Sequence, residues 1–517
     1  MATRTRLPLF GYLILAAVIA ITPGCASLPT NFEKEPSYAL RDTGHTTLAQ
    51  RIAPLTAANP GLSGFYPMPK GIEALGARLR LASRAQAGID LQYFIIKDDI
   101  VGDLLIESLI AAADRGVRVR ILLDDIGTED YELAFGVLSA HPNIEIRLTN
   151  PFSHRGSRAA GITEFQRINH RMHNKSFTID NAVTIVGGRN MGAPYFGSSD
   201  EFNYYDFDLV GVGPIADQIS TEFDRYWNAD ETYPVTAFVK PDDISEDAAE
   251  LKARFQAAKE NVTTTEFVGA LDNYVTDFIL AHDSDALTWS KAYAVYDLPY
   301  VETSHEGVEG PAVLARRMVD IITGAQEEFV LVSPYFVPGE AGTDGFQNLR
   351  NRGVRIVVLT NSLASTDQVA VYGGYEEYHE RLLEMGVELW ELMAFPSIKA
   401  YQPGAPTDKR ALHAKIYVVD RKKLFAGSFN WDPRSFEINT EMGIAIHSDE
   451  LAAQTSGNIQ DQLPRIAWKL RLNDAGKIEW VDVSGDTEIV YDSAPQASGW
   501  RKFLSGVTGI DALEGQL

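Results

Sequence analysis

The feature that most constrains this chain is a pattern that occurs twice. His173-Asn174-Lys175 with Asp180 returns, 240 residues later, as His413-Ala414-Lys415 with Asp420. In both copies a Gly follows the His by 14 positions and an Asn by 17, giving Gly187 and Asn190 in the first and Gly427 and Asn430 in the second. Landmarks outside the motif repeat at nearly the same offset: Arg115-Gly116-Val117-Arg118 is echoed by Arg352-Gly353-Val354-Arg355, and Ile144-Glu145-Ile146 by Val387-Glu388-Leu389. A nearly constant offset across separated landmarks marks a duplicated domain rather than a stray motif. A length of 517 residues agrees, being too long for one ordinary hydrophobic core.

Within each copy, short apolar runs alternate with helical spacing. The pattern predicts strands over 89–96, 117–123 and 144–148 and helices over 71–87, 102–115 and 131–139, with the series repeating from a strand over 328–332. Such alternation implies βαβ units and a largely parallel sheet. The expected division is a first domain over 46–240, a connector over 241–300 that opens on an acidic run, a second domain over 301–480 and a tail over 481–517. In that tail Trp500, Phe503, Leu504, Val507 and Ile510 lie at helical spacing beside Arg501 and Lys502. They read equally as an interfacial amphipathic helix or as a terminal helix packed on its own domain.

The N-terminus has a different character. Arg4 and Arg6 precede an apolar run over 7–22, followed by Pro23, Gly24 and Cys25. That is the order of a secretory signal, with a signal-anchor as the alternative, although the run is short for a membrane span. Residues 1–25 resemble a lipoprotein signal peptide with a lipobox in which Thr22 stands where Leu is commoner. Cys25, the only cysteine, is then the acylated residue. Ala26 and Ser27 after it imply, by the same resemblance, an exported, lipid-anchored protein of a Gram-negative-type cell envelope sorted to the outer membrane. Residues 26–45 read as a polar tether. A single cysteine allows no internal disulfide. The net charge of −24 disfavours nucleic acid as a partner, since such binding needs a basic footprint. Membrane contact would rest on the lipid and on apolar surface rather than on overall charge.

The chemistry follows from the pair of motifs. Residues 175–180 and 415–420 have strand composition, and residues two apart on a strand project from one face, which sets an imidazole beside a fixed cation. Two such pairs facing each other would hold two imidazoles across one anionic centre, flanked by Lys175, Lys415, Asn190 and Asn430. A phosphodiester needs that set: one neutral His to attack phosphorus, one protonated His for the leaving oxygen, and donors around the nonbridging oxygens. The lysines supply charge stabilisation, no metal-ligand spacing occurs in the chain, and no cofactor is expected.

These residues resemble the phospholipase D superfamily, whose His-Lys-Asp motif occurs twice per active site; the downstream Gly-Ser-x-Asn is matched by Gly427, Ser428 and Asn430, while the first copy has Gly188 in the Ser position. Over about 64–480, the stretches 91–93, 171–178, 333–338, 360–364 and 432–435 are similar to bacterial cardiolipin synthases, especially the C-type branch. The resemblance implies an α/β fold of two tandem phospholipase D-like sandwich domains in a pseudo-twofold arrangement, with one active site at their interface. It implies a phosphohistidine intermediate, with His173, Lys175, Asp180, His413, Lys415 and Asp420 as the motif residues, Asp180 and Asp420 serving to fix strand ends. Each His is expected to have a downstream acid: Asp206 in the first copy, with Asp208 as rival, and Glu441 in the second. His173 is assigned as nucleophile and His413 as acid, the reverse remaining open. The implied reaction is phosphatidyl transfer from a phospholipid donor, phosphatidylglycerol or phosphatidylethanolamine, to phosphatidylglycerol at a membrane surface. The alternatives are a phospholipase D-type hydrolase, a nuclease disfavoured by the acidic charge, and an idle envelope scaffold. Transfer between resident lipids also suits an exported protein, because exchanging one phosphodiester for another is near isoenergetic and needs no nucleotide-activated donor. The remaining histidines, such as His141, His282 and His379, read as surface or structural, and Tyr93 and Tyr335 either as lining the substrate mouth or as buried sheet aromatics.

Overall fold

The structure, a computed structural model, describes residues 27–128, 131–153, 164–239, 248–262, 286–300, 313–395 and 409–508. Cys25, His282 and Ile510 lie outside them.

Each half is a sheet built on a parallel centre. In the first, strands Gly88–Ile95, Arg118–Gly127 and Ile144–Thr149 run parallel, and Ser176–Ile179, Val183–Gly187, Asp208–Val212 and Ser63–Met68 continue the sheet antiparallel from Gly88–Ile95. In the second, Glu328–Val332, Arg355–Asn361 and Glu388–Leu392 are parallel, and Ile416–Val419, Lys423–Gly427 and Met442–His447 extend it in the same manner. The central strands are buried along nearly their whole length because both faces are covered, as parallel sheets require. Helices Gly71–Arg84 and Ile100–Asp114 cover one face of the first sheet, the latter started by Asp99, whose carboxylate accepts the Val101 and Gly102 N–H groups.

The halves are joined by shared core rather than by a linker. Phe65, Val186, Leu209 and Ile219 from the first sheet and its helix Pro214–Asn228 belong to one buried apolar cluster with Val330, Val357, Ile416 and Ile444 from the second. A core-like interface of this kind holds two domains in one orientation. Strand Thr288–Tyr296, inside the expected connector, reinforces it: Thr288–Ser290 pair with Ser63–Phe65 of the first sheet, and Lys291–Tyr296 with Met442–His447 of the second. The second sheet also runs past residue 480 into Ile489–Tyr491, so connector and tail are both structural parts of it.

Residues 34–39, within the expected tether, lie against the first domain instead of hanging free. Buried Arg120 and Arg147 donate to the carbonyls of Ser37 and Glu35, Asp224 accepts the Ala39 N–H, and Lys34 donates to the Ala229 and Thr232 carbonyls. Polar composition concealed this, because the bonds use the segment's backbone and the Lys34 side chain and need no apolar pattern.

Helix Gly499–Thr508 follows the second reading of the tail, a terminal helix packed on its own domain. It packs on helix Val369–Glu376, whose Gly373 and Gly374 are buried, and Arg501 donates to the carbonyls of Leu363, at 2.8 Å, and Thr366. Its other face leaves Trp500 and Phe503 stacked on each other and 65% and 60% exposed. Among the described residues no helix is long and apolar enough to cross a membrane.

Candidate active site

The two motifs meet between the sheets. Strands begin only at Ser176 and Ile416, so each His and Lys stands on the extended lead-in rather than on the strand itself. The lysines do more than flank: Lys175 Nζ donates to the His173 carbonyl and Lys415 Nζ to the His413 carbonyl, each at 2.6 Å, and so hold the backbone of their own histidines. Asp180 and Asp420, which belong to the motif, do not join the centre. They sit at the far ends of the strands with φ of 51° and 54°. Asp180 accepts the N–H groups of Gln86, Ala87 and Gly88, and Asp420 those of Gln326, Glu327 and Glu328. Three backbone donors on each carboxylate fix the turn before the first parallel strand, so the repeated spacing serves geometry and not proton transfer.

Each His is paired with an acid, but across the repeats and not within them. His173 Nδ1 is 2.8 Å from Glu441 Oε2, and His413 Nδ1 is 2.8 Å from Asp206 Oδ2. The backbone dictates the crossing. Strand Arg410–Leu412 pairs in parallel with Asn203–Tyr205, and the His413 N–H continues the ladder to the Tyr205 carbonyl, which brings Asp206 beside the imidazole. On the other side Met172 bridges Thr440, with His173 N–H donating to the Thr440 carbonyl, which does the same for Glu441. The rival Asp208 faces away, held by Arg78 at 2.9 Å and Arg189 at 3.2 Å.

The acids are supported differently. Glu441 accepts the hydroxyls of Ser428 and, at 2.8 Å, Ser435. Asp206 has no such hydroxyl: Gly188 stands where Ser428 stands in the other copy, and a Cβ there would meet Asp206 Oδ1 at 2.1 Å. Asp206 takes the Phe207 N–H instead, at 2.7 Å. Although burial works to raise Asp206, the His413 imidazole and the Lys415 ammonium hold it below the usual carboxylate range. Burial pushes Glu441 well above that range against the opposing pull of Lys175 and the two hydroxyls. Burial, reinforced by the neighbouring lysines, lowers both imidazoles, His173 well below its ordinary value and His413 to about 4. Burial likewise lowers both lysines, Lys415 to about 8.

Asn190 donates to the Tyr195 hydroxyl at 2.9 Å, and the side-chain oxygens of Asn190 and Asn430 are buried with no hydrogen-bond partner among the described residues. Tyr335 lines the mouth, a pocket of about 500 Å³ that it shares with His173 and Asn430. Tyr93 does not: it is fully buried and accepts from Arg78. Of the other histidines, His379 is buried beside Glu391 and His141 sits near Asp114 on the surface. Neither approaches the centre.

Two carboxyls that the sequence did not reveal hold the centre from behind. Glu222, on helix Pro214–Asn228, accepts from the Asn174 side chain at 2.7 Å and from Gln92, and burial raises it to about 8. Asp297, on the loop after the bridging strand, accepts the Glu441 N–H at 3.0 Å and is also raised by burial to about 8. No local motif marks either, since both act through contacts made only after the halves dock. Among the described residues no cluster of His, Cys, Asp and Glu could hold a metal ion.

Two buried His–acid pairs, each with its lysine, facing across a duplicated α/β sandwich, define a phospholipase D-superfamily enzyme. More narrowly, the chain belongs to the family described as "Cardiolipin synthase, PLD-like domain", which matches residues 79–227 and 318–462, one segment per copy. It is 38% identical over 473 residues to the cardiolipin synthase C of Escherichia coli K12, covering 90% of this chain and 99% of that one. An uncharacterised Helicobacter pylori protein is 30% identical over 488 residues, covering 93% and 95%. The fold also matches a crystal structure of phosphatidylserine synthase from Haemophilus influenzae, with a TM-score of 0.57 and 13% identity over 91% of this chain and all of that one.

Proposed function

We propose that the protein is a phosphatidyltransferase that makes cardiolipin by moving a phosphatidyl group from a phospholipid donor to phosphatidylglycerol. The observation that carries this reading is the crossed pairing of two buried histidines with two acids around one centre, in a chain alike along its length to a cardiolipin synthase. With each Nδ1 committed to a carboxyl, Nε2 is the atom left for chemistry on both rings. His173 Nε2 attacks phosphorus, the donor's headgroup oxygen leaves with the proton of His413, and a phosphohistidine forms. The acceptor hydroxyl then gives its proton to His413 and displaces His173 from phosphorus. One phosphodiester is consumed and one formed. His413, lowered to about 4 by burial, takes up its proton when a phosphodiester anion lies against it. It is the better acid of the two because the Asp206 carboxylate beneath it stays ionised and supports an imidazolium, while His173, beside a carboxyl pushed upward, stays neutral and nucleophilic.

The test is mass spectrometry of lipids after incubating the mature protein with phosphatidylglycerol, with and without phosphatidylethanolamine, beside a His173→Ala control. Cardiolipin made only by the active protein supports transfer, and its dependence on phosphatidylethanolamine names the donor. Phosphatidic acid alone would replace transfer with hydrolysis.

The protein is further proposed to act from the envelope membrane, acylated at Cys25 and apposed to lipid by Trp500 and Phe503. Those two aromatics form an exposed pair on a helix seated beside the mouth, and Val371 of the helix beneath lines the same pocket as His173. Labelled palmitate that enters the wild type but not Cys25→Ser supports the anchor; equal labelling would remove it.

A further inference from the structure

The centre is nearly twofold, but its mouth is not. Arg171, two residues before His173, and Arg434, four after Asn430, line the pocket that contains His173. The equivalent positions of the other copies are Ala411, two before His413, and Pro194, four after Asn190. Two cations therefore stand on one flank of a duplicated site, with nothing comparable at the matching positions of the other.

Their surroundings leave one buried donor unmet. Arg171 is 5% exposed, with its guanidinium 4.5 Å above the Phe152 ring and Nη1 donating to Asp124 and the Asn150 carbonyl, each at 3.2 Å. Its Nη2 is buried with no hydrogen-bond partner among the described residues. A buried guanidinium N–H with nothing to donate to is costly and uncommon. Arg434 is half-buried and donates to the side chain and carbonyl of Asn169, each at 2.9 Å, and burial, with Arg171 nearby, lowers its basicity. The nearest carboxyl on the same loop, Asp432, caps Ser435, is raised by burial to about 6 and remains a counter-charge to Arg434 at neutral pH. The same pocket carries Phe94, Phe152, Phe165 and Ile168, an apolar wall suited to acyl chains.

We propose that Arg171 and Arg434 form a second anion subsite, which holds the phosphodiester of the second lipid while the first lipid's phosphorus lies between His173 and His413. This rests on the two-lipid transfer reading. A hydrolase handles one phosphate at a time, but an enzyme that joins two phospholipids holds two. The second must remain anionic and a few bonds from the attacking hydroxyl, where a planar guanidinium pair binds it best.

The test has two arms. In vesicles of phosphatidylethanolamine with graded phosphatidylglycerol, Arg434→Gln lowers the ratio of cardiolipin to phosphatidic acid at least tenfold, and Arg434→Lys restores part of it. An unchanged ratio with both products falling together would overturn the subsite, reducing Arg434 to a tie between Asn169 and Asn439. The second arm needs no turnover. Titration calorimetry of monomeric dihexanoyl phosphatidylglycerol into a His173→Ala, His413→Ala double variant gives two equivalents bound, and adding Arg434→Gln or Arg171→Gln leaves one. Two equivalents in the arginine variants would overturn it, as would inorganic phosphate binding the second site as tightly as the lipid. Wild-type protein that makes no cardiolipin would remove the transfer reading, while this arm would still decide whether the arginines bind a lipid phosphate.

Discussion

The two halves of the centre hold the same catalytic elements on different supports. On one side His173 leans on Glu441, which takes two serine hydroxyls and is pushed upward by burial. On the other His413 leans on Asp206, one methylene shorter, which takes a backbone N–H and stays ionised. Gly188 is the hinge of the difference, because the space that Ser428 fills in the other copy is occupied here by the Asp206 carboxylate. Duplication supplies two like imidazoles, and the proposed division of roles, His173 as nucleophile and His413 as acid, rests on the unequal acids beneath them.

The most severe way to break the comparison is to remove an imidazole. His173→Ala and His413→Ala each cut transfer by roughly 10³-fold or more, as losing a nucleophile or its proton partner does in triads. They separate under quench with labelled donor: His413→Ala still traps acid-labile, alkali-stable label on the protein and His173→Ala traps none, whereas the opposite pattern would reverse the roles. Next come the acids. Asp206→Asn and Glu441→Gln lose roughly 10²–10⁴-fold in kcat, with Asp206→Asn the larger loss because its charge is the one supporting an imidazolium. Equal losses would make the acids equivalent.

Gly188→Ser is a smaller and more pointed change. It forces apart groups that a Cβ meets at 2.1 Å, so it costs about 1–3 kcal/mol of stability in a thermal melt and lowers activity. Swapping in the residue of the other copy thus harms rather than repairs. Lys415 sharpens the contrast through pH: its ammonium, lowered to about 8, loses charge as pH rises through that value, so kcat falls on the alkaline side. Lys415→Arg, which keeps its charge, moves that limb to higher pH. Smallest is the effect of Glu222 on stability. Its folded pKa of about 8 lies above the ordinary 4.5, so in that window the unfolded chain releases a proton that the folded one keeps, and stability falls as pH rises. Glu222→Gln flattens this slope in denaturant titrations at pH 5 to 8, and an unchanged slope would place the titration elsewhere.

Much of this was legible because duplication writes itself into spacing. The offset of the motifs, the parallel strands flanked by glycine and the strand bearing each motif aspartate are local properties, and the elements lie within a few residues of where periodicity puts them. What local reading missed are relations between distant segments. Asp206 and Glu441 are legible as acids, but the sequence assigns each to the histidine of its own copy and the structure crosses them, because the match is made by inter-repeat pairing at Tyr205 and Thr440. Residues 34–39 read as tether because hydrogen bonds through the backbone and one lysine leave no apolar signature.

By itself the sequence determined that the chain is doubled, that each copy is an α/β sheet with an imidazole and an ammonium at its edge, and hence that the chemistry is that of a phosphodiester. Residue type and spacing suffice for this, since they act through local backbone geometry. Only the tertiary structure decided which acid serves which histidine, why Gly188 cannot be Ser, and that Glu222 and Asp297 brace the centre. Those outcomes depend on burial and on contacts between segments hundreds of residues apart, and the free energy of a carboxyl in a closed core is set by what surrounds it and not by its neighbours in the chain.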